Sequence, residues 1–176
     1  MYIKRLIIDD IKEYQRFFPV LLISGARQVG KSTLALHLNI ENYITLDDIN
    51  IYEMAKNNPK GFIESLEKPV IIDEIQRLPQ LLISIKEYVD KDRKNGINGE
   101  FILTGSASLK GFKEISDSLA GRIGIVELYP FSLKEKNESS ENIIDIFSDD
   151  LNKYLLIKYE EISIEKDIID GGYPEI

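Results

Sequence analysis

The sequence predicts an α/β fold in which a parallel sheet is covered by helices on both faces. Three observations lead there. Wholly apolar runs recur at residues 20–23, 70–72 and 101–103, the pattern of strands buried on both sides. Segments with helical spacing lie between them, as the crossovers of parallel strands require. The first run also leads directly into a glycine-rich loop and then a helix, a unit built around a parallel strand.

Taken in order, residues 4–18 read as an amphipathic helix with Ile7, Ile11, Tyr14 and Phe18 on one stripe. Pro19 stops it and opens the first strand. After the loop helix, a second strand is expected at residues 43–46, ending in Asp47 and Asp48. Asn50 and Glu53 have capping-box spacing for a helix to about residue 56, and Asn58-Pro59 marks another helix start. Pro69 precedes the third strand at 70–72, which ends in Asp73 and Glu74. Leu81, Leu82, Ile85 and Val89 mark the next helix, and residues 95–99 read as a loop. The fourth strand, 101–103, runs into Thr104, Gly105 and Ser106. A short helical stretch, Gly121-Arg122 and a fifth strand at 123–128 follow.

From Ser132 the character changes. Residues 134–142 are polar and read as a linker, and residues 143–169 as a peripheral helical segment rich in Ile, Lys, Asp and Glu. The expected organisation is therefore a principal domain at 1–133 and a linker with a helical C-terminal extension at 134–176.

Composition excludes several functions. Net charge is −8, so the chain lacks the global field that draws in nucleic acid, and DNA or RNA is not expected to bind this module. With no cysteine there are no disulfides, thiolate metal sites or thiol catalysis, which fits a cytoplasmic protein. No apolar run approaches the ~18 residues of a membrane span, and Asp9 and Asp10 interrupt the N-terminal run too early for a signal peptide.

The loop itself carries the chemistry. Gly25, Ala26, Arg27, Gln28, Val29, Gly30, Lys31, Ser32 and Thr33 fit the phosphate-loop pattern G-x-x-x-x-G-K-S/T at every fixed position. Main-chain N–H groups must approach a polyphosphate, so Gly25 and Gly30 stand where a side chain would obstruct. The helix N-terminus adds partial positive charge. Lys31 is expected on the β- and γ-phosphates and the Ser32 hydroxyl on Mg²⁺. Arg27 either touches phosphate or packs the loop.

About 45 positions on, V-I-I-D-E supplies two acids at a strand end. Asp73 is the candidate partner of Ser32 in holding Mg²⁺, and Glu74 the candidate base for the attacking water. The pair discriminates among phosphate-loop classes. No N-K-x-D base reader or D-x-x-G switch is present, and small-molecule kinases usually lack the adjacent glutamate. An ATPase remains. Thr104 or Ser106 is a candidate for orienting water or sensing phosphate, and the residues alone do not choose between them. Arg122 is a candidate for stabilising transferring phosphoryl charge, in cis or across a subunit interface, with a structural ion pair as the equal alternative. Asp47 and Asp48 read as helix-capping or supporting, His37 as an ordinary half-exposed helix residue, and Gln76 and Arg77 as the start of the next helix.

Six motifs in order, G-A-R-Q-V-G-K-S, L-D-D at 46–48, V-I-I-D-E-I-Q, F-I-L-T-G-S, L-A-G-R and Y-P-F-S at 129–132, resemble a group of prokaryotic AAA-superfamily ATPases over nearly the whole chain. The resemblance implies a P-loop NTPase three-layer sandwich with strand order 5-1-4-3-2 and ATP at the C-terminal edge of strands 1 and 3. It implies that G-G-Y-P-E at 171–175 enters a further C-terminal region, a nuclease-like domain in full-length relatives, so the chain is expected to be part of a longer protein. The expected activity is Mg²⁺-dependent ATP hydrolysis that drives or gates a change in an attached domain, a protein partner or a homo-oligomer. The alternatives are a slow ATP/ADP signalling switch and the ATPase module of a DNA-processing protein.

Overall fold

The apolar runs pair into one sheet. In the computed structural model, which describes residues 2–92, 96–106, 119–136 and 171–174, five strands carry it: β1 (Val20–Gly25), β2 (Asn42–Thr45), β3 (Val70–Asp73), β4 (Phe101–Ser106) and β5 (Ile123–Leu128). Their order is β2-β3-β4-β1-β5, and every pairing is parallel. This is the expected 5-1-4-3-2 arrangement. All four residues of β3 are buried, which is why its sequence shows no polar alternation.

Successive side chains leave a strand on opposite faces, so each central strand feeds two cores. Val20, Leu22, Val70, Ile72, Phe101 and Leu103 face one cluster, closed by α3 (Ile49–Asn57), α4 (Pro59–Ser65) and α5 (Leu81–Asp92). Leu21, Ile23, Ile71 and Ile102 face the other, closed by α1 (Ile8–Phe17) and α2 (Lys31–Leu36). Each fully buried aliphatic side chain contributes about 1.5–3 kcal/mol. Helices therefore cover both faces, and the middle strands have no solvent side.

Several boundaries differ from expectation, each for a local reason. Helix α1 begins at Ile8, not residue 4, with Asp9 and Asp10 in its first turn, where the helix dipole favours acids. Of the expected stripe, Ile11 is fully buried, while Tyr14 and Phe18 stack with ring centroids 5.8 Å apart. They fit over β5 because Gly124 has no side chain: a Cβ there would lie 2.8 Å from both rings. The cap of α3 is Asp48, not Asn50. Its carboxylate accepts the N–H groups of Asn50 (2.8 Å) and Ile51 (3.3 Å), two residues earlier than the expected box. Asn58 caps α4 as expected, accepting from Gly61 N–H at 3.0 Å with Pro59 in the first turn.

The chain divides into two compact units, Ile7–Tyr129, which holds the sheet, and Met1–Leu6 with Pro130–Ile176. In the second, α6 (Leu133–Lys136) occupies part of the stretch expected to be linker. Ser132 and Glu135 form a capping box: Ser132 N–H donates to Glu135 Oε2 at 2.8 Å, and Glu135 N–H donates to Ser132 Oγ at 3.2 Å. Glu135 also accepts from Leu6 N–H at 2.9 Å and from Arg5 Nε at 3.0 Å, both side chains being buried. The expected helical segments at 107–118 and 143–169 lie outside the described residues.

Candidate nucleotide-binding site

Parallel strands place all their C-terminal ends on one edge, and here that edge gathers the loop, the acidic pair and the end of β4. Gly25 closes β1, with Leu128 of β5 and Ser106 of β4 as its lateral neighbours. A Cβ on Gly25 would lie 2.4 Å from the Leu128 carbonyl oxygen, so the constraint on this glycine comes from the sheet itself. In the loop, Gln28 (φ 65°) and Gly30 (φ 95°) are left-handed. Such residues let neighbouring N–H groups converge into an anion-binding concavity. Val29 is fully buried and pins the loop, whereas Ala26, Arg27 and Gln28 are exposed. The first bond of α2 runs from Leu34 N–H to the Gly30 carbonyl at 2.9 Å, and the N–H groups before it have no intrahelical acceptor. Helix α2 spans only six residues, so its N–H groups matter more here than a long-helix dipole.

Lys31 is 6% exposed, and its ammonium donates to the carbonyls of Ala26 (2.7 Å) and Gly25 (3.2 Å). Burial pushes its pKa down, against the opposing pull of Glu74 and Asp73. The amine is thus held inside the loop's curve with two weak neutral acceptors.

Register explains the rest. Ile72 sits beside Leu103, so Asp73 and Thr104 follow side by side on the same face. Asp73 is 4% exposed and accepts, among the described residues, three hydroxyls. Ser32 Oγ lies 2.9 Å from Oδ1 and 3.0 Å from Oδ2, Thr104 donates to Oδ1, and Tyr43 donates to Oδ2 at 2.9 Å. Burial first, then the bond to Asp73, raises the Tyr43 pKa far above the usual phenol value, so the proton stays on the phenol. Thr104 also accepts the Glu74 N–H at 3.1 Å. Glu74 has left-handed backbone (φ 59°, ψ 42°), and its carboxylate accepts from the Gln76 amide, whose oxygen in turn accepts Ser106 N–H at 3.3 Å.

The structure thus brings together Gly25, Lys31, Ser32, Asp73, Glu74, Thr104 and Ser106. Thr33, one step further, is exposed, and His37 is also exposed, its Nδ1 2.8 Å from the Thr33 carbonyl. Arg122 lies elsewhere, and an action in cis is corrected by its position. It precedes β5 at the opposite edge of the sheet, where its carbonyl accepts Val20 N–H. A six-residue strand, roughly 20 Å long, separates it from the loop. Its guanidinium pairs with Asp90 at 2.5 and 3.2 Å, which is the ion-pair alternative. Sequence reasoning missed Tyr43 and the bond from Gln76 to Glu74. Tyr43 belongs to none of the six motifs, and Gln76, the last residue of V-I-I-D-E-I-Q, was read only as the start of the next helix.

A parallel sheet with a phosphate loop after β1 and an Asp-Glu pair at the end of β3 defines the P-loop NTPase class. Within that class the chain belongs to the AAA domain family, whose model matches residues 17–137. Among curated proteins it is 32% identical over 124 residues to an uncharacterized protein of Mycobacterium tuberculosis and, equally, to one of Mycobacterium bovis. Each match takes in 69% of this chain, which spans about a quarter (27%) of those relatives' length. The fold is similar to that of a replication initiator DnaA bound to AMPPCP and single-stranded DNA. That likeness has a TM-score of 0.54 at 16% identity, over 98% of this chain and 59% of that one. No helix among the described residues is long and apolar enough to cross a membrane.

Proposed function

We propose that this chain is a Mg²⁺-dependent ATPase module. The observation that carries the reading is the convergence of Lys31, Ser32, Asp73 and Glu74 on one sheet edge around a phosphate-binding loop. The donor set suits Mg²⁺. Ser32 and Asp73 are hard oxygen ligands in mutual contact, and Mg²⁺ takes one or two such groups and completes its shell with phosphate and water. Among the described residues no cluster of three His, Cys, Asp or Glu offers the dedicated cage of a different metal site. When bound, the ion supplies positive charge against the phosphate oxygens.

The chain's own residues do the rest. Loop N–H groups cradle the phosphates between Gly25 and Thr33. Lys31, held among the described residues by two neutral carbonyls, exchanges them for phosphate oxygens, a charge-assisted and stronger partnership. Glu74 accepts a proton from the attacking water, and Thr104 holds the main chain that sets its position. Ser106, at the end of β4, is read as the polar contact that reports on the terminal phosphate. On this reading the hydrolytic cycle drives or gates a change in an attached domain or partner.

A slower ATP/ADP switch is the second reading, favoured by the Gln76 amide on the Glu74 carboxylate, which occupies the base. Calorimetric titration with Mg–ATP and Mg–ADP tests both. Lys31→Ala is expected to abolish binding, and Glu74→Gln to keep it while turnover falls about 10²- to 10⁴-fold. Undiminished hydrolysis by Glu74→Gln removes Glu74 as the base. Undiminished binding by Lys31→Ala removes the loop as the site.

A further inference from the structure

Asp73 is gripped by a residue that no phosphate-loop motif contains. Tyr43 lies on β2, where the register sets it beside Ile71 and sets Thr45 beside Asp73. The phenol must therefore reach two residues forward, roughly 6.6 Å along a strand, and it does so: its hydroxyl donates to Asp73 Oδ2 at 2.9 Å. The ring packs on the cluster of Leu21, Ile23, Ile71 and Ile102, which fixes the direction of the hydroxyl.

The three donors to Asp73 are not equivalent. Ser32 lies within 3.0 Å of both carboxylate oxygens, but it has one proton, and its oxygen is the group a cation takes. Once Ser32 turns to a cation, two hydroxyls remain to hold the carboxylate, one on each oxygen: Thr104 on Oδ1 and Tyr43 on Oδ2. Thr104 is already committed to the Glu74 N–H, so it serves both acids. Among the described residues, Tyr43 serves Asp73 alone.

We propose that Tyr43 is a positioning residue for the metal side of the site, its hydroxyl holding Asp73 in the orientation in which the carboxylate receives Mg²⁺. This rests on the reading of Ser32 and Asp73 as the groups that hold the ion. Partners that orient a metal ligand typically change metal affinity 10- to 100-fold when removed. The nucleotide's own contacts with the loop and Lys31 do not pass through Tyr43.

The test is titration of the full chain with fluorescently labelled ADP, once in EDTA and once over a Mg²⁺ series. Tyr43→Phe keeps the ring and its packing and removes only the hydroxyl. Its Mg²⁺ half-saturation is expected to rise about 10-fold or more, with affinity in EDTA within about twofold of the parent. A variant whose Mg²⁺ curve overlays that of the parent overturns the proposal. So does an equal loss in both arms, which assigns Tyr43 to the fold alone, and a thermal melt run alongside identifies that case. Failure of the parent itself to bind labelled ADP in either arm overturns the nucleotide reading, and this inference with it.

Discussion

Gly25→Ala tests how the loop is held. The added methyl would lie 2.4 Å from the Leu128 carbonyl oxygen, 3.1 Å from Val29 Cγ1 and 3.3 Å from the Leu128 carbonyl carbon. Real contacts of this kind do not fall below 3.0 Å, so β1 and β5 must part by at least 3.0 less 2.4, or 0.6 Å. The obstacle is a carbonyl in a sheet ladder, which cannot turn aside as the tip of a long side chain does. Overpacking of this sort costs about 1–3 kcal/mol. For a chain of this size each kcal/mol lowers Tm by roughly 2–4 °C, so the variant is expected to melt about 2–12 °C below the parent. The same shift moves the first residue of the loop, and a displacement approaching 1 Å is enough to cost up to about 100-fold in a precisely aligned site. Thermal melts followed by circular dichroism read the first effect, and labelled-ADP titration reads the second. Gly121→Ala is the control. Both glycines have positive φ (+157° at Gly25, +74° at Gly121), but among the described residues nothing lies within 4 Å of a Cβ added at Gly121, so it carries the conformational cost alone and leaves affinity unchanged. If Gly25→Ala melts and binds like the parent, the sheet contact does not hold the loop and the reasoning fails.

Two further outcomes follow from the caps and the buried ion pair. Asp48→Ala removes an acceptor for two N–H groups of α3 and is expected to cost about 0.5–2 kcal/mol, with nucleotide affinity unchanged, measured by chemical denaturation. Glu135 is subject to burial, which alone would raise its pKa. The N–H groups of Ser132 and Leu6 and the Arg5 guanidinium outweigh that and hold it below the usual carboxylate value of 4.5. A lowered folded-state pKa means that the contribution is complete above pH 4.5 and disappears as pH falls through the folded value. Glu135→Gln is therefore expected to cost roughly 3–5 kcal/mol near neutrality, because Arg5 loses its buried carboxylate. The gap to the parent should shrink as the pH of the denaturation series drops below 4.5. A gap that stays constant with pH removes the charge from the explanation.

Local chemistry was sufficient for much of this protein. The apolar runs read as central strands because a strand buried on both faces cannot alternate. The loop read as phosphate-binding because two glycines, a lysine and a hydroxyl at fixed spacing have few other uses. Asp73 and Glu74 could be placed because they end such a strand, and the Asn58 cap because Pro59 follows it. Where local signals competed, the outcome was mixed: at α3 the Asn50 box failed while the helix-capping reading of Asp48 held, and at α6 polarity was read over the Ser132–Glu135 box.

Tertiary structure alone decided what depends on register between strands distant in sequence. Only pairing of β2 with β3 brings the Tyr43 hydroxyl to Asp73, and only pairing of β3 with β4 sets Thr104 against both acids. The same geometry sends Arg122 to the far edge beside Asp90, where its motif had left phosphate and an ion pair as equal alternatives. Spacing along a chain determines which groups one strand or loop presents. Which groups meet is set by how the strands are laid side by side, and no motif within a single segment carries that information.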